Sequence, residues 1–227
     1  MPTFRDALEG LWARFRPEEL ATPEAFAADP GLVWRWYQWR RRLVSGARPN
    51  AGHVALARLA EALPGLRLIT QNVDGLHQQA GSRDVIELHG NLFVNRCSAD
   101  GGDVTLLPED IAGGDEGPPP CPRCGEPVRP GVVWFGESLP FDALQEAQSL
   151  AAACDLFLSV GTSAMVTPAA DLALEALEGG AVVVEINPEN TALTPRADYV
   201  VRAPSGQALP IIYERLIAHM DQEKPSD

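Results

Sequence analysis

The sequence predicts an α/β fold organised on a parallel sheet. Three observations carry this: short apolar runs ending in small or polar residues (Leu66 to Thr70, Leu156 to Val160, Ala181 to Asn187), helical apolar spacing over Pro168 to Leu177 (PAADLALEAL), and a Gly179-Gly180 stop before the last run. Strand, helix and strand in that order make a Rossmann-like βαβ unit. His53 to Leu63 (HVALARLAEAL) reads as another helix, stopped by Pro64-Gly65 ahead of the first strand.

Between Asn95 and Pro130 the composition changes. Gly101-Gly102, Gly113-Gly114 and Pro118 to Pro120 replace the periodic hydrophobics, and three of the four cysteines lie here. This is an inserted lobe, poor in core, of the kind that needs a staple to hold its shape. Trp34 to Arg42 (WRWYQWRRR) is dense in aromatics and arginines and predicts a helix. The tail Asp221 to Asp227 is expected to fray.

The 227 residues, 45% hydrophobic, suffice to bury a substantial core. Lys+Arg 18 against Asp+Glu 31 gives a net charge of -13, which opposes attraction to a phosphate backbone or an anionic membrane surface. Neither nucleic acid nor membrane is an expected partner. MPTFRDALEGLW has no apolar stretch like a signal peptide's, and no apolar run approaches the ~18 residues of a membrane helix, so a soluble cytoplasmic protein is expected. Four cysteines in such a chain read as metal ligands or buried thiols rather than as a disulfide framework.

Thr70-Gln71-Asn72-Val73-Asp74-Gly75 directly follows a strand, and Glu87-Leu88-His89-Gly90 comes shortly after. Polar groups at the carboxyl end of a parallel strand sit where open α/β sheets bind ligands. An amide and a carboxylate two residues apart can grip a hydroxyl and a carboxamide, although a bare QNVD reads more simply as an Asx-rich turn. The order of motifs changes that balance. TQNVDGLHQQAG, ELHGNL, a cysteine cluster, VVWFGE, SVGTSAMVTPAA and EINPE follow one another. This succession resembles the sirtuin family, from the first residues to about Pro210.

The resemblance implies one catalytic domain over 1–227: a Rossmann-like large lobe (1–20, 50–94 and 131–220), a small zinc-ribbon-like lobe (21–49 and 95–130), and NAD and an acyl-lysine entering the cleft between them. It implies that His89 is the base that deprotonates a ribose hydroxyl, a task suited to an imidazole with an unperturbed pKa of ~6.5. His53, at the head of a helix, His77, in the DGLH turn, and His219, near the tail, read as structural. By the same resemblance Asn72 orients the nicotinamide ribose and its attacking water, Asp74 holds the carboxamide, and Gln71 and Val73 line the same turn. Gly161, Thr162 and Ser163 approach the dinucleotide through small side chains and free amides. Asn187, with Pro188 and Glu189, contacts a ribose, and Ser205 stands where an alanine usually meets adenine through its backbone. Val133, Trp134, Phe135, Gly136 and Glu137 pair with the substrate peptide as an added strand, or serve as a buried core strand. The implied partner is an acyl-lysine protein, and the implied state a monomer.

Tyr37 and Arg40 are three apart and share a helix face. Read alone, the segment is an amphipathic helix with a solvated basic face, or an RNA-stacking patch. Within the family, Tyr-x-x-Arg resembles the signature of the branch that removes succinyl and malonyl groups, since arginine binds a carboxylate through two parallel hydrogen bonds and a phenol adds a third.

Two departures stand out. Cys97, Cys121 and Cys124 look like three ligands of a structural zinc, but Asp100 stands where the fourth cysteine is usual; a Cys3Asp site, weak binding and a metal-free lobe all stay open. Cys154 lies apart and reads as a small buried residue. The family also opens with a strand and a glycine-rich loop before PTFR, whereas here Pro2-Thr3-Phe4-Arg5 follow Met1 directly. Phe4 and Arg5 match cofactor-loop residues. An upstream start and a truncated form that binds NAD poorly are the two readings, and the intact later motifs favour the first. The rival functions are a non-catalytic acyl-lysine and NAD binding module and an NAD-dependent oxidoreductase, with ADP-ribosyl transfer as a side activity.

Overall fold

The computed structural model describes residues 16–107 and 117–222. In chain order these form α1 (Pro17–Leu20), α2 (Pro23–Ala28), α3 (Pro30–Ser45), α4 (Ala51–Ala62), β1 (Ile69–Thr70), α5 (Leu76–Gln79), β2 (Ile86–Glu87), β3 (Gly90–Cys97) and β4 (Val128–Val132). Then come α6 (Phe141–Ala153), β5 (Leu156–Val160), α7 (Leu172–Glu178), β6 (Val182–Ile186), β7 (Tyr199–Val201) and α8 (Ser205–Gln222). No helix among the described residues is long and apolar enough to cross a membrane. Two compact units result, the first drawn from Met1–Ala47, Asn72–Gly75 and His89–Leu139, the second from Arg48–Gln71, Leu76–Leu88 and Pro140–Asp227.

The second unit holds the predicted βαβ core. β5, β6 and β7 lie side by side in parallel, with Leu156 opposite Val182 and Val160 opposite Ile186. The crossover begins one turn later than expected, because Ala169–Asp171 forms a 3₁₀ turn before α7 takes over at Leu172. α7 ends at Gly179, where a Cβ would stand 2.5 Å from the Ala152 carbonyl oxygen, so only glycine lets the chain turn against the end of α6. β1 pairs in parallel with β2. It is shorter than the predicted Leu66 to Thr70 because the Pro64-Gly65 turn extends to Leu66, whose N–H donates to the Leu63 carbonyl. The Asn50 side chain caps α4 by accepting from the Gly52 and His53 amides. Leu56 and Leu59 of α4 then share a core with Leu209 of α8 and Ile186 of β6.

In the first unit, α3 carries the aromatic segment. Pro30 starts it behind an Asp29 cap, and Val33, Trp36 and Tyr37 bury one face against Leu92, Val132 and Trp134. Arg41 is buried on the same helix, donating to the carbonyls of Leu92 and Val94 and to Asn95 Oδ1. β3 and β4 pair antiparallel with a register shift between Gly90 and Asn95. Beyond them the chain forms a cysteine ribbon with its own small core of Trp34, Cys97, Val104, Cys121 and Val128. Residues 89–94 and 131–139 therefore group with the small-lobe segments by compactness. Phe4, Arg5 and the end of the tail lie outside the described residues.

Candidate active site

A cavity of about 320 Å³ opens in the second unit at the carboxyl ends of β5 and β6, lined by Gly161, Thr162 and Ser163 on one side and by Asn187, Glu189 and Thr191 on the other. Gly161 has φ +63, a conformation that favours glycine, and its N–H donates to the Ile186 carbonyl. Asn187 is buried and stitches the two loops together: its Nδ2 donates to the Thr162 carbonyl at 2.9 Å while its Oδ1 accepts from the Glu189 amide at 3.1 Å. Gln71 Nε2 reaches Thr162 Oγ1 at 3.4 Å, and Pro188 is exposed beside Asn187. Ser205 opens α8 and packs backbone-to-backbone on Gly52, where an added Cβ would lie 3.0 Å from its carbonyl.

Beneath this cavity sits a carboxylate that the motif reading did not single out. Glu185 is 1% exposed near the carboxyl end of β6 and accepts hydrogen bonds from Thr191 Oγ1 and, at 2.6 Å, from Thr194 Oγ1. Arg202 adds a contact at 3.4 Å and also donates to the carbonyls of Asn187 and Glu189 and to Asn190 Oδ1. Burial pushes the Glu185 carboxyl up, but the hydroxyl and guanidinium donors outweigh it and hold it below its ordinary value. A charge inside an apolar strand was the available signal, since such a group persists only when it is paired.

The QNVD and ELHG motifs divide between the units: Gln71 belongs to the second, Asn72 to Asp74 and His89 to the first. Asn72 is exposed, Asp74 and His89 are half-buried, and Val73 packs on the core of the first unit. Val73 and Leu92 are tied backbone to backbone at 2.8 Å, and the His89 carbonyl accepts from the Val133 amide at 2.9 Å. His89 is thus held by the start of β3 and by the segment leaving β4.

Val133 to Glu137 turns rather than continuing β4. The Phe135 amide donates to the Ala21 carbonyl, Gly136 has φ +86, and Glu137 closes the turn by accepting from the Trp134 amide at 2.8 Å. Arg129, which the motif reading passed over, grips both Glu137 oxygens at 2.5 and 2.9 Å and lies 3.4 Å above the Trp134 ring. The Trp134 indole donates to the Tyr37 hydroxyl at 3.0 Å. The Arg40 guanidinium lies 5.3 Å from the Tyr37 ring and 5.0 Å from that of Trp36. Burial pushes the Tyr37 hydroxyl up to about 12 and pulls Arg40 down to about 10.

The structure brings Cys97, Cys121 and Cys124 together, their sulfurs all within 4.8 Å of one another. Two matching knuckles present them: Gly101 N donates to the Cys97 carbonyl and Gly125 N to the Cys121 carbonyl, with both glycines at positive φ. Asp100 holds the place in its knuckle that Cys124 holds in the other, yet it does not join the group. Its carboxylate accepts from Arg123 Nη2 at 3.0 and 3.2 Å and from the Gly102 amide at 2.8 Å. Backbone donation from Arg123 and Cys124 lowers the Cys121 thiol, which suits a metal-bound thiolate. The donor set therefore fits zinc through three sulfurs, one short of the four of a closed structural site. Cys154 is half-buried and donates to the Ala151 carbonyl, and burial raises its thiol. The His53 and His77 rings meet at a tilt with centroids 4.8 Å apart, and His219 lies in the last turn of α8.

A parallel βαβ core with a polar cavity at its strand ends, joined in one chain to a cysteine ribbon, defines a Rossmann-like α/β protein with a zinc-type insertion. The model of the Sir2 family matches residues 1–168, and the chain belongs to that family. A protein of Aquifex aeolicus named NAD-dependent protein deacylase is 50% identical over 220 residues, covering 95% of this chain and 89% of that protein. One of Pseudomonas aeruginosa, NAD-dependent protein deacylase 1, is 51% identical over 219 residues, with coverages of 95% and 88%. Among solved structures, a Sir2 homolog in complex with NAD superposes with TM-score 0.84 at 44% identity, covering 93% of this chain and 81% of that one. A Sir2 bound to acetylated peptide gives 0.80 at 32% identity, with coverages of 87% and 83%.

Proposed function

We propose that this protein is an NAD-dependent protein-lysine deacylase that prefers acyl groups ending in a carboxylate, succinyl and malonyl above acetyl, and that it works in the cytoplasm as a monomer. The names of its relatives support the activity. The acyl preference rests on one observation: a half-buried cation, Arg40, whose guanidinium lies 5.3 Å from the ring of the buried Tyr37, one helical turn earlier. A carboxylate is the ligand that matches both, since it can accept from a guanidinium and from a phenol hydroxyl at once.

In this reading His89 accepts the ribose hydroxyl proton, Asn72 orients ribose and water, and Asp74 holds the carboxamide, with Gln71 and Val73 shaping the turn. Gly161 to Ser163, Asn187 to Glu189 and Ser205 hold the rest of the dinucleotide, together with Phe4 and Arg5. Val133 to Glu137 receives the substrate peptide. Cys97, Cys121 and Cys124 would hold a structural zinc, which fixes the ribbon and takes no part in the chemistry. The large and small lobes of this reading are 1–20, 50–94 and 131–220, and 21–49 and 95–130.

The test is nicotinamide release from NAD with a succinyl-lysine peptide. One nicotinamide per lysine freed supports the enzyme. Peptide binding without turnover would make the protein an acyl-lysine binding module, and NADH formation would make it an oxidoreductase.

A further inference from the structure

We propose that Trp134 and Arg129 are positioning residues for acyl specificity: they commit the Tyr37 hydroxyl oxygen as an acceptor, so that its proton is presented to the substrate carboxylate. The inference rests on the acidic-acyl reading above and adds the residues that make the tyrosine act as a donor.

An indole N–H can only donate. With Trp134 Nε1 at 3.0 Å from Tyr37 Oη, the tyrosine oxygen must accept, and its own O–H is left to point at another acceptor. The hydroxyl is therefore committed as an acceptor to Trp134. It is 1% exposed, and burial keeps it protonated far above neutral pH. A carboxylate, with acceptor sites and no donor, completes this arrangement, whereas a methyl-terminated acyl group offers the O–H nothing.

The indole needs a fixed orientation for this, and Arg129 supplies it. Its guanidinium covers the Trp134 ring at 3.4 Å while its two Nη atoms hold the Glu137 carboxylate and Nη2 also donates to the Val132 carbonyl at 3.0 Å. Glu137 returns to accept from the Trp134 backbone amide. Ring face and backbone of Trp134 are thereby gripped by one ion pair, a stronger constraint than packing in the aromatic core alone.

The experiment measures kcat/KM for succinyl-lysine and acetyl-lysine versions of one peptide in wild type, Trp134→Phe, Tyr37→Phe and the double variant. Trp134→Phe keeps a ring in the core but removes the donor. We expect its succinyl-to-acetyl ratio to fall about tenfold, as in Tyr37→Phe, with no further fall in the double variant, because both changes break the same contact. A loss of packing alone would lower both substrates together and leave the ratio at the wild-type value, which would overturn the proposal. Additive falls would overturn it too. Arg129→Lys is the second probe if Trp134→Phe fails to fold: it keeps the charge but not the fork, and the ratio is expected to drop severalfold. An unchanged ratio there counts against the proposal. A wild-type enzyme with no preference for succinyl-lysine would remove the acidic-acyl reading and this inference with it, whereas a preference lost in Tyr37→Phe but kept in Trp134→Phe would sink the inference alone.

Discussion

Gly90 lies so close to Gly131 that a Cβ on Gly90 would stand 2.1 Å from the Gly131 carbonyl oxygen. Its φ of +72 is a second reason for glycine. The contact lets β3 start hard against β4, directly after His89, whose carbonyl is bonded to Val133. Gly90→Ala should therefore disturb the histidine and the stability together. Left-handed backbone and steric overlap sum to at least about 2 kcal/mol, a fall of roughly 4–8 °C in Tm for a chain of this size. Turnover should drop by a similar factor for acetyl-lysine and succinyl-lysine, since the proposed role of His89 is the same for both. A variant with wild-type Tm and turnover would show that the strands do not need this approach.

Arg40→Met keeps much of the apolar stem while removing the cation. On the acyl recognition proposed above, losing a two-point charge-assisted contact should lower kcat/KM on succinyl-lysine on the order of a hundredfold and leave the loss on acetyl-lysine far smaller. Equal losses on the two peptides would remove Arg40 from acyl recognition.

What could be read from the residues in advance divides along the range of the interactions. β5 and β6 were legible to within a residue because apolar runs with polar ends are local signals, and the Cys-x-x-Cys pair at 121 and 124 identified the ribbon in the same way. Arg129 and Glu137 are eight residues apart across a turn, and nothing in VRPGVVWFGE says that their side chains meet. Asp100 occupied a ligand position by spacing, but Arg123, inside the other knuckle, claims its carboxylate, a contact between sequence-distant turns. Tertiary pairing decides both cases, and periodicity carries no record of it.

The cysteine ribbon yields a prediction about metal. Since the Asp100 carboxylate is taken up by Arg123 and the Gly102 amide, Asp100→Asn should retain the zinc content of the wild type, measured by elemental analysis of the purified protein. Cys121→Ser should lose the metal and lower Tm, as should prolonged chelation of the wild type. Loss of zinc from Asp100→Asn equal to that from Cys121→Ser would place the carboxylate on the metal and restore a Cys3Asp site.

Glu185 sets how the cavity loop responds to acid. Its carboxyl titrates below the ordinary value because Thr191, Thr194 and Arg202 favour the charged form more than burial opposes it. A lowered folded pKa means that the native state binds the proton less readily than the unfolded chain, so the carboxylate stabilises the fold above the unfolded value of ~4.3 and loses that contribution as pH falls through the lower folded value. Glu185→Gln keeps the shape and removes the charge. It should loosen the 187–194 loop and weaken ADP-ribose binding at pH 7 by about tenfold, or ~1.4 kcal/mol, with KM for NAD rising more than kcat falls. The gap in Tm between wild type and variant should then narrow as the buffer is taken from pH 6 to below about 4, because wild type alone has this proton to gain. A gap that stays constant across that range would mean that the Glu185 charge does not hold the loop.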